Sequence, residues 1–238
     1  MDFTFQKELR LQKSDLSRKG SIDAKIVELV NFINKEDCYV TTSSCSGRIS
    51  VFTNSELKKK GCNWMFITHD VTTPQLVIDA LHNHTGSAIL KFEPFIMHIQ
   101  CMSLEAAQAL HALSIESGFR NSGMTISKKG NIIVAIRCTL ALEVPLSSDG
   151  VLLVSHEYIS FVVNLCNEKL TENWKRIERL YLGLQKSIAQ STTQPDKKKT
   201  PKVLRPVNNN NLSSEKTSQI VDRLSPDLFC DGFDNLLK

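Results

Sequence analysis

A polar loop from Thr41 to Arg48 concentrates residue types that can bind an anion. Hydroxyl- and thiol-bearing residues run up to Ser46, and Gly47 and Arg48 follow. Backbone N–H and side-chain O–H donors in such a loop can form a nest for a carboxylate or phosphate, and arginine adds a planar bidentate donor. The pattern predicts either such a site or a serine-rich hairpin turn with one surface arginine. No covalent role is expected for Cys45, because no nearby histidine or helix N-terminus is visible to activate its thiolate.

A second polar break separates two apolar runs at Glu93 and Pro94. Proline forces an extended conformation on the residue before it, so the Glu93 carboxylate is expected at a junction between strands. There it could accept hydrogen bonds from ribose hydroxyls or an amine, or act as a general base if its surroundings raise its pKa. His98 lies on the following strand, and the pattern leaves open whether it is a second base or a hydrogen-bonded core histidine.

Two further loops have basic residues next to predicted helix ends. In the loop from Ser117 to Gly123, the glycines would let the backbone approach a ligand while Arg120 contacts an anion. The loop from Asp15 to Gly20 has Arg18 and Lys19 before a predicted helix, where side-chain charge and backbone N–H groups could hold an anion. A solvated loop leading into a helix is the alternative for this second segment.

The sequence lacks the motifs of several enzyme classes. It contains no G-x-G-x-x-G, P-loop, H-E-x-x-H or G-x-S-x-G. Its six histidines show no metal-ligand spacing, so no metal site is expected. The seven cysteines include no C-x-x-C pair and are expected to be reduced thiols in the cytoplasm. A net charge of +4 permits a nucleic-acid partner without arguing for one.

Hydrophobic periodicity predicts the elements that position these loops. Strands that arrive in pairs and triplets favour an α+β fold, with a mixed or antiparallel sheet packed by helices, over a Rossmann-like doubly wound sheet. Strands are predicted at 38–42, 48–52, 63–68, 88–92, 95–101 and 132–136, the last after a hairpin turn at 128–131, with a further pair flanking 145–150. Helices are predicted after an N-cap at Ser21, from Pro74 to near Gly86, over 104–116 and, as a long amphipathic helix, over 158–188.

Residues 1–190 are expected to form one domain, and residues 191–238 a disordered tail. The tail contains prolines, a lysine triplet and an asparagine run, a composition that cannot bury enough apolar surface to offset its ordering entropy. Its end, 224–237, is interpreted as either a short docking helix or a frayed terminus. We expect no secretory signal and no membrane span, since no apolar run is long enough.

Three blocks resemble, in the same order, the signature blocks of the tRNA wybutosine-synthesising protein 3 family. They are Ser-Ser-Cys-Ser-Gly-Arg (43–48), Lys-Phe-Glu-Pro-Phe (91–95) with His98, and Ser-Gly-Phe-Arg-Asn-Ser-Gly (117–123). The loop 15–20 and Glu143-Val144-Pro145 also fall where that family has them. The resemblance covers roughly residues 5–190 and leaves out the tail.

This resemblance implies an S-adenosylmethionine-dependent methyltransferase acting on tRNA(Phe). It would methylate ring nitrogen N4 of the tricyclic guanosine derivative at position 37 that already bears an aminocarboxypropyl group. Its partners would be the anticodon arm and other enzymes of the pathway. The implied donor-binding residues are Ser43, Ser44, Ser46, Gly47, Arg48, Arg120, Ser122 and Glu143; the candidate bases are Glu93 and His98; the candidate RNA contacts are Arg18, Lys19, Lys128 and Lys129.

Two other functions remain open at this point. The chain could be a tRNA-binding or scaffolding module that keeps the fold and has lost donor binding. It could also be an anion-binding domain that acts on a small acidic substrate. Binding of S-adenosylmethionine, measured as a rise in melting temperature, separates the first alternative from the enzyme.

Overall fold

The computed structural model describes residues 2–12, 20–54 and 63–193. The helices in these residues are α1 (Phe3–Leu11), α2 (Val27–Lys35), α3 (Pro74–Ala80), α4 (Leu104–Glu116) and α5 (His156–Thr193), and a 3-10 helix (Ala24–Ile26) precedes α2. The strands are β1 (Tyr39–Cys45), β2 (Arg48–Asn54), β3 (Asn63–Thr68), β4 (Ser87–Glu93), β5 (Ile96–Cys101), β6 (Gly123–Ile126), β7 (Ile132–Ile136), β8 (Leu142–Pro145), β9 (Ser147–Ser148) and β10 (Val151–Leu152).

The strands form two four-stranded antiparallel sheets and one small ladder. The first sheet has the order β1-β5-β7-β6, the second has the order β3-β2-β4-β8, and β9 pairs with β10. The predicted α+β fold with an antiparallel sheet packed by helices is therefore confirmed. The division into two sheets was not predicted.

The two sheets are the halves of one bent ladder. Cys45 pairs with Ile96 in the first sheet, and Arg48 pairs with Glu93 in the second. Both pairs belong to one register, because Arg48 lies three residues after Cys45 and Glu93 lies three residues before Ile96. The segments β1–β2 and β4–β5 therefore run from one sheet into the other side by side, and we call the crossing at 46–47 and 94–95 the bend.

A buried asparagine of α5 supplies the hydrogen bonds that the ladder lacks at the bend. Asn173 Nδ2 donates to the Ser46 carbonyl oxygen at 2.8 Å, and the Phe95 backbone N–H donates to Asn173 Oδ1 at 2.8 Å. Gly47 has a φ of +98°, and a Cβ there would lie 3.0 Å from Asn173 Nδ2. Only glycine therefore fits this position without strain.

Helix α5 packs against both sheets. Its inward residues follow helical spacing, and all of them are buried: Cys166, Leu170, Asn173, Ile177, Leu180 and Leu184. The residues up to Leu170 pack into the core of the second sheet, and those from Ile177 onward pack into the core of the first. Asn173 lies at the boundary, where the bent ladder crosses the helix. Although α5 is 38 residues long, no helix in the described ranges is apolar enough to cross a membrane.

Two helix boundaries predicted from the sequence are wrong. Ser21 is not an N-cap, because α2 begins only at Val27, after the 3-10 turn. Helix α3 ends at Ala80 rather than near Gly86, and Asn83 adopts a left-handed φ of 56°, which is typical of a chain leaving a helix. The predicted tail, apart from the last turn of α5, lies outside the described residues.

Replacing Asn173 with alanine is expected to lower the free energy of unfolding by roughly 2–6 kcal/mol, because two buried peptide groups lose their partners. Urea unfolding followed by circular dichroism measures the change. Asn167→Ala is the matched control on the same helix. Its amide bonds the backbone of Thr72 at a half-buried position, so a loss of only about 1 kcal/mol is expected there. Equal losses in the two variants would contradict the role given to Asn173.

Candidate active site at the bend

The peptide groups at the bend are also hydrogen-bonded by two titratable side chains. Asp23 lies just before the 3-10 helix, and its Oδ2 accepts from the Ser46 backbone N–H at 2.8 Å. His69 follows β3 directly, and its Nδ1 lies 2.9 Å from the Gly47 carbonyl oxygen. A carbonyl oxygen only accepts, so Nδ1 carries the proton and Nε2 of the neutral ring has the lone pair.

Asp23 and His69 form a carboxylate–imidazole pair. Asp23 Oδ2 lies 3.5 Å from His69 Nδ1, and the two side chains are 9% and 27% exposed. Both the Asp23 carboxylate and the Gly47 carbonyl oxygen contact the ring at Nδ1, which leaves Nε2 as the nitrogen that could accept a proton. The pair can therefore orient a general base whose reactive nitrogen is Nε2.

The Cys45 thiol lies in the same cluster. Asp23, Cys45 and His69 each place a potential metal-ligating atom within 4.8 Å of the others. Hydrogen bonds to the bend already use Asp23 Oδ2 and His69 Nδ1. Burial raises the pKa of Cys45 to about 11, with nearby Asp23 and Glu93 adding to the effect. The thiol is therefore protonated at neutral pH, which favours neither a thiolate nucleophile nor a metal ligand. The expected absence of a metal stays a prediction.

Arg48 and Glu93 form an ion pair on the outer side of the bend. Arg48 Nε lies 2.6 Å from Glu93 Oε2, and the side chains are partly exposed. The Arg48 guanidinium also lies over the Trp64 ring, 5.1 Å from its centroid. These two contacts fix the plane of the guanidinium and leave its terminal nitrogens as donors for an anion. Sequence reasoning chose both residues and did not foresee that they pair.

His98 lies on the outer face of the first sheet. Its Nδ1 is 2.9 Å from Ser43 Oγ, and the two residues are register partners. Burial, with the charge of Arg137 adding, lowers the pKa of His98 below its usual value. The ring is therefore neutral at physiological pH, and it joins the serine loop to β5.

The structure brings only part of the predicted site to the bend. Seven of the predicted residues lie at or beside the bend: Ser43, Ser44, Ser46, Gly47, Arg48, Glu93 and His98. The side chain of Ser46 is fully buried there.

The other predicted residues lie away from the bend or outside the described residues. Glu143 pairs with Lys91 on the second sheet at 3.2 Å. Ser122 bonds the Phe119 carbonyl in its own loop, next to exposed Arg120. Lys128 and Lys129 lie beyond β6, at the end of the first sheet away from the bend. Arg18 and Lys19 lie outside the described residues.

Asp23 and His69 are the functional candidates that sequence reasoning missed. Their neighbours in the sequence show no motif, and the two residues come together where they bond the backbone of adjacent residues of the bend. One signal was available for Asn173. It is a polar residue at an apolar position of the helical repeat of α5, and such a residue needs a buried hydrogen-bond partner.

Comparison with known proteins gives one consistent family. The model of the family described as Methyltransferase TYW3 matches residues 4–186. The tRNA wybutosine-synthesizing protein 3 homolog of Homo sapiens is 50% identical over 186 residues, covering 76% of this chain and 72% of that protein. The homolog of Xenopus laevis is 48% identical over 199 residues, covering 82% and 79%.

A plant relative and a solved structure extend this result. The tRNA wybutosine-synthesizing protein 2/3/4 of Arabidopsis thaliana is 38% identical over 208 residues, which are 77% of this chain and 21% of that protein. The PH1069 protein from Pyrococcus horikoshii is 30% identical, with a TM-score of 0.67 over 76% of this chain and 90% of that chain.

Cys45 is expected to react slowly with iodoacetamide. With a pKa of about 11, its thiolate fraction at about pH 8 is on the order of 100-fold below that of an ordinary exposed thiol. Peptide mass spectrometry measures the alkylation of Cys45 separately from that of the other cysteines. The urea-unfolded chain is the control. Labelling of the native thiol as fast as that of the unfolded chain would show that the thiol is activated.

Proposed function

Because the chain belongs to the Methyltransferase TYW3 family, we propose that it methylates ring nitrogen N4 of the 7-aminocarboxypropyl-demethylwyosine intermediate at position 37 of tRNA(Phe), with S-adenosylmethionine as donor. A role in wybutosine biosynthesis as an RNA methyltransferase follows from the family and the named relatives. The observation that carries the proposal is that the matched residues, 4–186, include the whole bend and its polar side chains.

The side chains at the bend fit a methyl donor of this kind. S-adenosylmethionine supplies a methyl group on a positively charged sulfonium, which a ring nitrogen displaces directly. Such a displacement needs alignment and exclusion of water more than a nucleophilic side chain. The protonated state of the Cys45 thiol agrees with this requirement.

Arg48 and Glu93 are the residues we assign to the donor. The guanidinium of Arg48 would bind the carboxylate of the methionine part through its terminal nitrogens. Glu93, held by Arg48 at 2.6 Å, would accept from ribose hydroxyls or the donor's ammonium group. Ser43 and Ser44 point to opposite faces of β1, and Ser43 Oγ is bonded to His98, so the Ser44 hydroxyl is the one that would add a donor for the carboxylate. Ser46 holds the bend through its backbone, since its side chain is buried.

We assign His69 as the general base that accepts the proton released by the reaction. Methylation of a ring nitrogen that carries a hydrogen releases that hydrogen as a proton. His69 can accept it at Nε2, because the contact with the Gly47 carbonyl oxygen uses only Nδ1. The Asp23 carboxylate would stabilise the resulting imidazolium. Glu93 is the weaker candidate because Arg48 occupies its Oε2. His98 is the weaker candidate because burial and the charge of Arg137 lower its pKa and so disfavour uptake of a proton.

We also place the reaction in the cytoplasm, in company with other enzymes of the pathway. Five cysteines in the described ranges are free thiols, which fits a reducing compartment. The name of the Arabidopsis thaliana relative, tRNA wybutosine-synthesizing protein 2/3/4, joins the number 3 of this family with two others in one longer protein. We therefore expect the enzymes that make the substrate and consume the product to be this chain's nearest partners.

A methyl-transfer assay tests the proposed function. The acceptor is tRNA(Phe) from cells that lack this protein, so that the demethylated intermediate accumulates, and the donor is methyl-labelled S-adenosylmethionine. Label is expected in the tricyclic base and should be lost with Arg48→Ala. Folded protein that leaves a verified acceptor unlabelled, yet binds it, would overturn the methyltransferase and favour the tRNA-binding module.

His69→Gln is expected to lower kcat by roughly 10²–10⁴-fold, because glutamine cannot take up the proton. The rise in melting temperature that S-adenosylmethionine causes should be the same as in the wild type. His82→Gln, at an exposed histidine after α3, is the matched control with normal kcat. A His69→Gln variant with normal kcat and a raised KM would instead make His69 a binding residue.

A further inference from the structure

In the described residues, the second sheet has one face that packs into the core and one face on which most side chains are at least partly exposed. Its inner face carries Ile49, Val51, Leu90 and Phe92, all fully buried in the core shared with α3 and α5. Residues alternate between the faces of a strand, and register partners share a face. The register therefore places the following residues on the outer face: Arg48, Ser50 and Phe52 of β2, Trp64 and Ile67 of β3, Ile89, Lys91 and Glu93 of β4, and Glu143 and Pro145 of β8.

Two aromatic rings pair on this outer face. Phe52 and Trp64 are register partners, and their ring centroids lie 5.6 Å apart at an interplanar angle of 52°. The guanidinium of Arg48 also lies over the Trp64 ring, 5.1 Å from its centroid. Ser50, which lies between Arg48 and Phe52 on the same strand face, is fully buried. The three larger side chains therefore form a continuous π-rich surface that begins at the bend.

The charges of the described side chains on this face balance one another. Arg48 pairs with Glu93, and Lys91 pairs with Glu143. A face with two cations and two anions attracts phosphates only weakly. Recognition here would rest on stacking and apolar contact, to which the 48% exposed side chain of Ile67 adds.

The part of this face around Phe52 and Trp64, beyond the donor site assigned to Arg48 and Glu93, has the shape of a sheet surface. Small-molecule sites are concave and bury most of their ligand. Phe52 and Trp64 line neither of two cavities in the described residues, one of about 420 Å³ between α2 and α5 and one of about 340 Å³ between α3 and β10. An open antiparallel sheet with aromatic side chains is a surface on which unpaired nucleotides stack.

We propose that this outer face is a stacking platform for the unpaired anticodon-loop nucleotides beside the target base, with Phe52 and Trp64 as the contact rings. The inference rests on the proposed function, which supplies the RNA partner. Continuity supports it, because Arg48 belongs both to this face and to the bend, where the methyl transfer takes place. The target base enters the bend while its neighbour lies on the rings.

Binding of a synthetic anticodon stem-loop of tRNA(Phe), without methyl donor, tests the platform. Trp64→Ala should weaken binding by roughly 5- to 150-fold, the cost of losing one base–aromatic stack. Phe52→Leu should weaken it in the same direction, and Trp64→Phe should restore most of the affinity. The slope of log affinity against log salt should stay as in the wild type, since no phosphate contact is lost.

The matched control is Phe161→Ala, which removes an aromatic ring that is 64% exposed on α5 and away from this face. It should bind the stem-loop normally. Wild-type affinity in both Trp64→Ala and Phe52→Leu, with each variant shown to be folded, would overturn the platform. So would a Trp64→Ala variant that binds RNA normally and loses its thermal stabilisation by S-adenosylmethionine, because the face would then belong to the donor.

The result separates the platform from the proposed function. Wild-type protein that binds the stem-loop through Trp64 and transfers no methyl group would contradict the function and support the platform. Protein that methylates tRNA(Phe) and does not depend on Trp64 or Phe52 for binding would support the function and contradict the platform.

Discussion

The hydrogen bonds of one buried asparagine hold this fold together at the place where its two sheets meet. A ladder of two long antiparallel segments has to bend sharply to serve both sheets, and a bend breaks the peptide hydrogen bonds on it. Buried peptide groups without partners are costly. Asn173 offers one donor and one acceptor at the right spacing and bonds both segments. Helix α5 can therefore cross the bend with an apolar core on either side.

The same requirement creates the candidate active site. Two further peptide groups at the bend are hydrogen-bonded by Asp23 and His69. These hydrogen bonds bring a carboxylate and an imidazole together and fix the tautomer of the imidazole. Arg48 and Glu93 follow the bend as register partners and pair at its outer side. The ladder itself thus positions the pair that we propose for the donor and the histidine that we propose as the base. A glycine-rich phosphate loop is not needed for that arrangement.

Local patterns in the sequence were enough for most of the elements and for the polar loops, but α1 was not predicted. Helix α4 and the hairpin of β6 and β7 follow directly from apolar periodicity and turn residues, and the choice of Arg48 and Glu93 followed from residue type at strand ends. The boundary of α2 was wrong because Asp23, not Ser21, precedes the 3-10 turn. His69 and Asp23 were missed because their roles depend on contacts across the bend, which no local pattern contains. Asn173 was hidden within an otherwise apolar helix face.

A crystal structure with S-adenosylhomocysteine and the demethylated anticodon stem-loop tests the account most directly. We predict that the product's carboxylate contacts the Arg48 guanidinium, and that the target ring nitrogen lies within hydrogen-bond reach of His69 Nε2, directly or through one water. A target base bound elsewhere, with the bend facing only solvent, would contradict the assignment of the active site to the bend.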